Sequence, residues 1–159
     1  MSKIVKSALV VGLSFALTVA ADAGATHPND LSKCSDPAGP AALVTVKGLK
    51  AATGRVRVQA YRATGADWLA KGRWLARVEA PATGAVMKFC VPLDQSGSYG
   101  FAVRHDINGN GKTDFTKDGG GMSNNPAISV WNLGKPSVDK VTVRIGAGVT
   151  PVNIVMRYM

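Results

Sequence analysis

Asp106, Asn108, Asn110 and Asp114 carry oxygen-bearing side chains at a near two-residue rhythm around Gly109 and Gly111, and hard oxygen donors so placed suit calcium. In the order of a helix-loop-helix calcium loop, Asp106, Asn108 and Asn110 take positions one, three and five. Gly111 makes the sharp turn at six, Lys112 offers its backbone carbonyl at seven and Asp114 stands at nine. Position twelve requires a bidentate Glu and is Lys117, a cation; Asp118, one place later, is the available substitute. With so few carboxylates the expected affinity is weak, roughly 10⁻⁴ to 10⁻³ M, as befits a structural ion filled by ambient calcium. The competing account is a glycine-rich turn, because Asn-Gly is a strong hairpin signal and Asx side chains bond their own backbone.

Other chemistry is sparser. His105 shares the parity of Phe101 and Val103 and is expected at the rim of the core, bonded to backbone or to the loop. His27 is the other histidine, and neither Cys-x-x-Cys nor His-Glu-x-x-His spacing occurs, which argues against a multi-histidine metal site. Ser123, His105 and Asp114 supply triad residue types, but no nucleophile elbow surrounds any serine. No catalytic residue is assigned; the enzymatic alternative is a hydrolase or isomerase using His105 with Asp106 or Asp114. Trp68, Trp74 and Trp131, with His105, are the candidate ligand-binding set, since loop aromatics stack on sugar rings, and a carbohydrate-binding module is the other alternative. Trp68 and Trp74 also fit a cap on the open edge of a core. Tyr99, just after Gly97, fits a tyrosine that ties a sandwich corner to backbone.

The elements that must position these residues read as strands. Short alternating runs at 43–49, 55–62, 74–79, 86–91, 98–105, 140–145 and 152–158 are separated by Gly, Pro, Asn and Asp, the pattern of an all-β domain. The expectation is a seven-stranded antiparallel Greek-key β-sandwich, immunoglobulin-like or transthyretin-like, with at most one short helical turn near 65–72. By parity Val44, Val46, Val56, Val58, Met87, Phe89, Val91, Phe101, Val103, Val141, Val143, Ile145, Val152, Ile154 and Met156 point inward. Cys90 falls on the outer face beside Lys88. The connection 106–135 is long and lacks regular pattern, which is uncommon unless the segment is functional or tied by a ligand.

Lys3 and Lys6, the apolar run 8–21 and small residues up to Ala25 read as a secretory signal peptide over 1–25, and the run is too short to span a bilayer. An irregular arm at 26–41 and a single sandwich domain at 42–159 follow. Cutting after Ala25 removes two Lys and one Asp from 19 basic and 10 acidic residues, leaving 17 and 9, a formal charge of +8. That balance favours anionic envelope components or glycans as neighbours; nucleic acid is not expected, nor is a transmembrane segment in the mature chain. In an oxidising compartment Cys34 and Cys90 form the one available disulfide, closing a long loop.

The run Val91-Pro92-Leu93, the strand Gly97-Ser98-Tyr99-Gly100-Phe101-Ala102-Val103, the loop His105-Asp106 through Asp114 and the turn Met122-Ser123-Asn124-Asn125 together resemble the bacterial exported family known as domain of unknown function 2141. Val44 to Leu49 and Gly54 to Tyr61 resemble its first two strands. The resemblance implies a transthyretin-like or prealbumin-like sandwich with no assigned activity. One departure stands out: the family's Gly-x-Pro-x-Glu stretch is replaced at 115–121 by a glycine run without Pro or Glu. The sequence thus points to an exported, non-enzymatic binding or accessory module of the periplasm or cell envelope, with a weak structural calcium loop.

Overall fold

The computed structural model describes residues 24–127 and 134–159. Trp131 and all but the end of the expected signal peptide lie outside them. Among the described residues the elements run β1 (Ala25–Pro28), α1 (Ser32–Ser35), β2 (Ala41–Lys47), β3 (Arg55–Arg62), β4 (Trp74–Pro81), β5 (Val86–Pro92), β6 (Gly97–Asp106), β7 (Gly119–Met122), β8 (Thr142–Ile145), β9 (Val149–Val155) and β10 (Arg157–Tyr158). The larger sheet has the order β1-β4-β3-β6-β7-β10, with β8 also paired to β6, and the smaller sheet is β5-β2-β9. No helix of the described residues is long and apolar enough to cross a membrane.

This is the expected all-β sandwich, with three corrections to its detail. Ten strands among the described residues replace seven. The sheets are mixed, because β1 runs parallel to β4 and β2 parallel to β9. The arm at 26–41 is not irregular: its first residues add an edge strand to the larger sheet, a place where Pro28 costs no ladder bond. The segment near 65–72 stays within the one helical turn expected: Trp68 N–H bonds the Thr64 carbonyl at 3.0 Å, and Leu69 at φ 54° breaks any continuation.

Alternation explains the core. Val44, Val46, Phe89, Val91, Val152 and Ile154 of the small sheet meet Val56, Val58, Val78, Phe101 and Val103 of the large one, all buried. Truncating Phe101 there would cost about 3–5 kcal/mol. Val141 is the exception to the parity reading: it is buried, but in a second cluster with Tyr61 and Trp68, separate from the main core. A Cβ at Gly100 would approach the Trp68 ring to 2.8 Å, so glycine is what lets that indole lie on the sheet.

Cys34 and Cys90 are bonded, with Cα atoms 5.7 Å apart and a sequence separation of 56. Cys90 is almost fully covered despite its outward parity, because the N-terminal arm lies over it. Closing a loop of this length lowers the entropy of the unfolded chain by an amount worth about 4 kcal/mol.

Both edges of the small sheet are closed by the same device. At β5, Asn29 donates through Nδ2 to the Lys88 carbonyl at 2.9 Å and accepts from the Cys90 N–H at 3.3 Å. At β9, Asn125 donates to the Asn153 carbonyl at 3.1 Å and accepts from the Val155 N–H at 2.7 Å. Each carboxamide thus stands in for one residue of a further strand and blocks pairing with another chain. Asn29→Ala and Asn125→Ala are each expected to lower stability by about 1–2 kcal/mol and to promote self-association. Denaturant unfolding and light scattering check this; two variants as stable and as monodisperse as the parent would refute it.

Candidate functional site

β6 divides its residues between two faces. Phe101, Val103 and His105 enter the core, while Ala102 and Arg104 face outward and Asp106 opens the loop. In the loop, Asp106 accepts the N–H groups of Asn110 at 3.2 Å and Gly111 at 2.8 Å. Asn108 Oδ1 accepts from Asn110 N–H at 3.2 Å and Asn110 Oδ1 from Lys112 N–H at 2.7 Å. The Asp114 carboxylate then collects both carboxamides, at 2.8 Å from Asn108 and 2.9 Å from Asn110. These side chains therefore converge. The groups they present to Asp114 are amide N–H donors, while their oxygens bond backbone.

Asp118 does not reach toward the loop centre. Its oxygens accept from Ile107 N–H at 3.3 Å and Asp114 N–H at 2.9 Å, so it closes the turn before β7. Lys112 enters this network through its N–H. Among the described residues no three or more His, Cys, Asp or Glu side chains gather as a metal-binding group. The bonds from Asn108 and then Asn110 hold the Asp114 carboxyl below its ordinary value of 3.8.

His105 is fully buried rather than at the rim. Its Nε2 lies 2.8 Å from the Thr53 carbonyl, which can only accept, so Nε2 carries the proton. In the neutral ring Nδ1 is then the acceptor for the Tyr158 hydroxyl, 2.7 Å away, and that oxygen also accepts from Lys50 N–H at 3.1 Å. Both ring nitrogens are thereby committed to joining the C-terminal strand to the loop before β3. Asp106 follows on the opposite face, so the pleat separates the two groups that an acid-base reading would pair.

Trp68 is likewise interior, with Nε1 donating to the Pro136 carbonyl at 3.0 Å. Trp74 is half-buried, and Arg77 covers its face at 3.9 Å. Neither ring is an open stacking platform; the expected cap on an open edge describes them better. Tyr99 does tie its corner, donating to the Gln95 carbonyl at 2.6 Å.

The turn at 123–125 carries weight that motif reading of its sequence missed. The buried Ser123 hydroxyl accepts from Phe101 N–H and donates to the Val141 carbonyl. Asn124 donates to the Thr142 carbonyl at 3.0 Å, and Asn125 closes the β9 edge. Both asparagines are left-handed, at φ 61° and 50°, a conformation Asn tolerates better than most residues. The Asn-Asn pair was the available signal.

A cleft of about 660 Å³ opens beside the loop over β6 and β7. Ala102, Met122, Leu69 and Phe115 give it apolar walls, Gly120 lies in its floor, and Arg104 and Arg157 stand in its lining. Registers place Glu79, Arg57, Arg104, Gly120 and Arg157 in one cross-strand row. Glu79 is bonded to Arg55 and Arg57, each at 2.9 Å. Burial pushes its carboxyl up, but the bonds from Arg57 and Arg55 outweigh that and hold it below 4.5. Nothing in the sequence marked the cleft, because its lining is drawn from six separate stretches of chain.

Residues 44–153 match the family described as uncharacterized protein conserved in bacteria (DUF2141). The chain belongs to that family. The match takes in the loop, the Ser-Asn-Asn turn and most strands of both sheets, so these are parts of the family's domain rather than additions to it. No curated protein and no solved structure matches the chain.

Tyr158→Phe removes the hydroxyl shared by His105 and Lys50 and is expected to cost about 1–3 kcal/mol by leaving the buried His105 Nδ1 unpaired, read by denaturant unfolding. Asp114 and Glu79 have lowered values in the fold, so their contribution is complete above their unfolded values of 3.8 and 4.5 and is lost as pH falls through the folded ones. Thermal melts should decline as pH falls below about 4.5, with Asp114→Asn and Glu79→Gln each making the decline shallower.

Proposed function

We propose that this chain is an exported, non-enzymatic binding or accessory module of the bacterial cell envelope, with the cleft over β6 and β7 as its binding surface. The cleft carries the reading: its volume lies in the range of small-molecule sites, and it joins apolar walls to a few placed polar groups. Export is supported by the basic and apolar N-terminal pattern and by the Cys34–Cys90 bond, which belongs to oxidising compartments. A non-enzymatic role is supported by His105, whose two ring nitrogens are already engaged in the interior.

In this reading the 106–118 loop is the wall of the cleft, and a weakly held calcium ion stiffens it. The donors are Asp106 and Asp114 with the oxygens of Asn108, Asn110 and the Lys112 carbonyl, after the carboxamides turn their oxygens toward the ion. Millimolar calcium should then raise the melting temperature by about 3–8 °C, reversed by EDTA and absent in Asp114→Ala. A melting temperature indifferent to both would reject the ion.

The binding role is tested by native mass spectrometry of protein taken from its own envelope without detergent. A mass excess that vanishes on denaturation is expected, and is expected to be missing from a variant with the cleft filled. A bare mass in the parent would remove the reading.

A further inference from the structure

Among the described residues, nothing packs against the middle glycine of β7. A Cβ at Gly119 would come within 2.4 Å of the Tyr158 ring, and one at Gly121 within 2.7 Å of Ile154, so both are glycine because the core presses on them. Gly120 faces the other way, adopts no left-handed φ, and a Cβ there would meet no atom of the described residues within 4 Å. Glycine inside a strand weakens it by about 0.5–1 kcal/mol relative to Ala, and where neither packing nor turn geometry requires one, it marks close approach by something else.

What flanks that bare backbone is cationic and apolar. Arg104 and Arg157 stand on either side of Gly120 in the cross-strand row. Arg157 makes no ion pair among the described residues. Arg104 directs its terminal nitrogens to Thr113, the Gly111 carbonyl and Asp106, while its buried Nε has no partner among the described residues. The row's acid, Glu79, is taken by Arg55 and Arg57. The acid in the cleft wall, Asp118, has both oxygens on backbone N–H groups. Phe115 and Met159, exposed at 68% and 72%, extend the apolar lining to the rim.

We propose that this cleft binds an apolar molecule bearing one anionic group, its anion over Gly120 between Arg104 and Arg157 and its apolar body along Leu69, Ala102, Met122 and Phe115. The proposal rests on the binding-module reading and names its ligand class. A free acyl carboxylate or alkyl phosphate and an anionic membrane lipid share this chemistry.

Isothermal titration of the full-length mature protein with decanoate, decyl phosphate and 1-decanol tests it. Both anions are expected to bind, with decanol at least tenfold weaker. Gly120→Leu, whose Cβ would meet no described atom within 4 Å, and Arg157→Gln, a change at an exposed side chain, are each expected to weaken the anions at least tenfold without lowering the thermal melt. Sedimentation with phosphatidylglycerol/phosphatidylcholine vesicles separates the sources: capture lost in both variants identifies bilayer lipid, and no capture alongside decanoate binding identifies a free amphiphile. Failure of both anions to bind, equal binding of decanol, or affinities unchanged in both variants each overturns the proposal. Equal binding of decanol would leave the binding-module reading standing, whereas a bare native mass would remove that reading itself.

Discussion

Alternate residues of β6 point to opposite faces of the larger sheet, and that two-residue period forces the core and the cleft to be built from one ten-residue strand. Phe101, Val103 and His105 commit one face to the interior. Ala102 and Arg104 are thereby committed to the other, and Asp106 launches the loop from the strand's end. A slip of one residue would drive Arg104 into the core and His105 into the cleft. Pairing with β3, β7 and β8 pins the register along the strand.

Side-chain carboxamides then do what backbone cannot. Asn29 and Asn125 finish the two open edges of the small sheet, and Asn108 and Asn110 brace the loop against Asp114. In each case one short side chain offers both a donor and an acceptor, which matches the pair of groups a strand edge or turn leaves unmet. The glycines follow a similar logic of space: Gly100, Gly119 and Gly121 admit a neighbouring ring or aliphatic chain, while Gly120 leaves its room open.

His105 and Tyr158 connect the site to the chain's end. The buried imidazole bridges the Thr53 carbonyl and the Tyr158 hydroxyl, so β10 and the loop before β3 are held through one ring. Since β10 also supplies Arg157 to the cleft, the fastening that secures the terminus positions part of the lining. An imidazole with both nitrogens bonded at this depth acts as a structural strut.

The local period of apolar residues determined the all-β class, most strand positions and about half of the buried hydrophobic core, because side-chain direction in a strand depends only on parity. The Asx-rich loop was legible because its information lies in residue type and short spacing, and the cysteine pair because the sequence holds just two cysteines. Strand partners were decided only in the folded chain. The parallel pairings of β1 with β4 and β2 with β9 join segments about fifty and a hundred residues apart, and no local pattern encodes which edge a segment will meet. Val141 entered a second cluster because Trp68 offered it a surface, and the loop's carboxamides turned their N–H groups to Asp114 because nearby backbone amides claimed their oxygens. The cleft too is tertiary: Leu69, Ala102, Phe115, Gly120 and Arg157 acquire a common purpose only when the strands and loops that carry them are brought side by side.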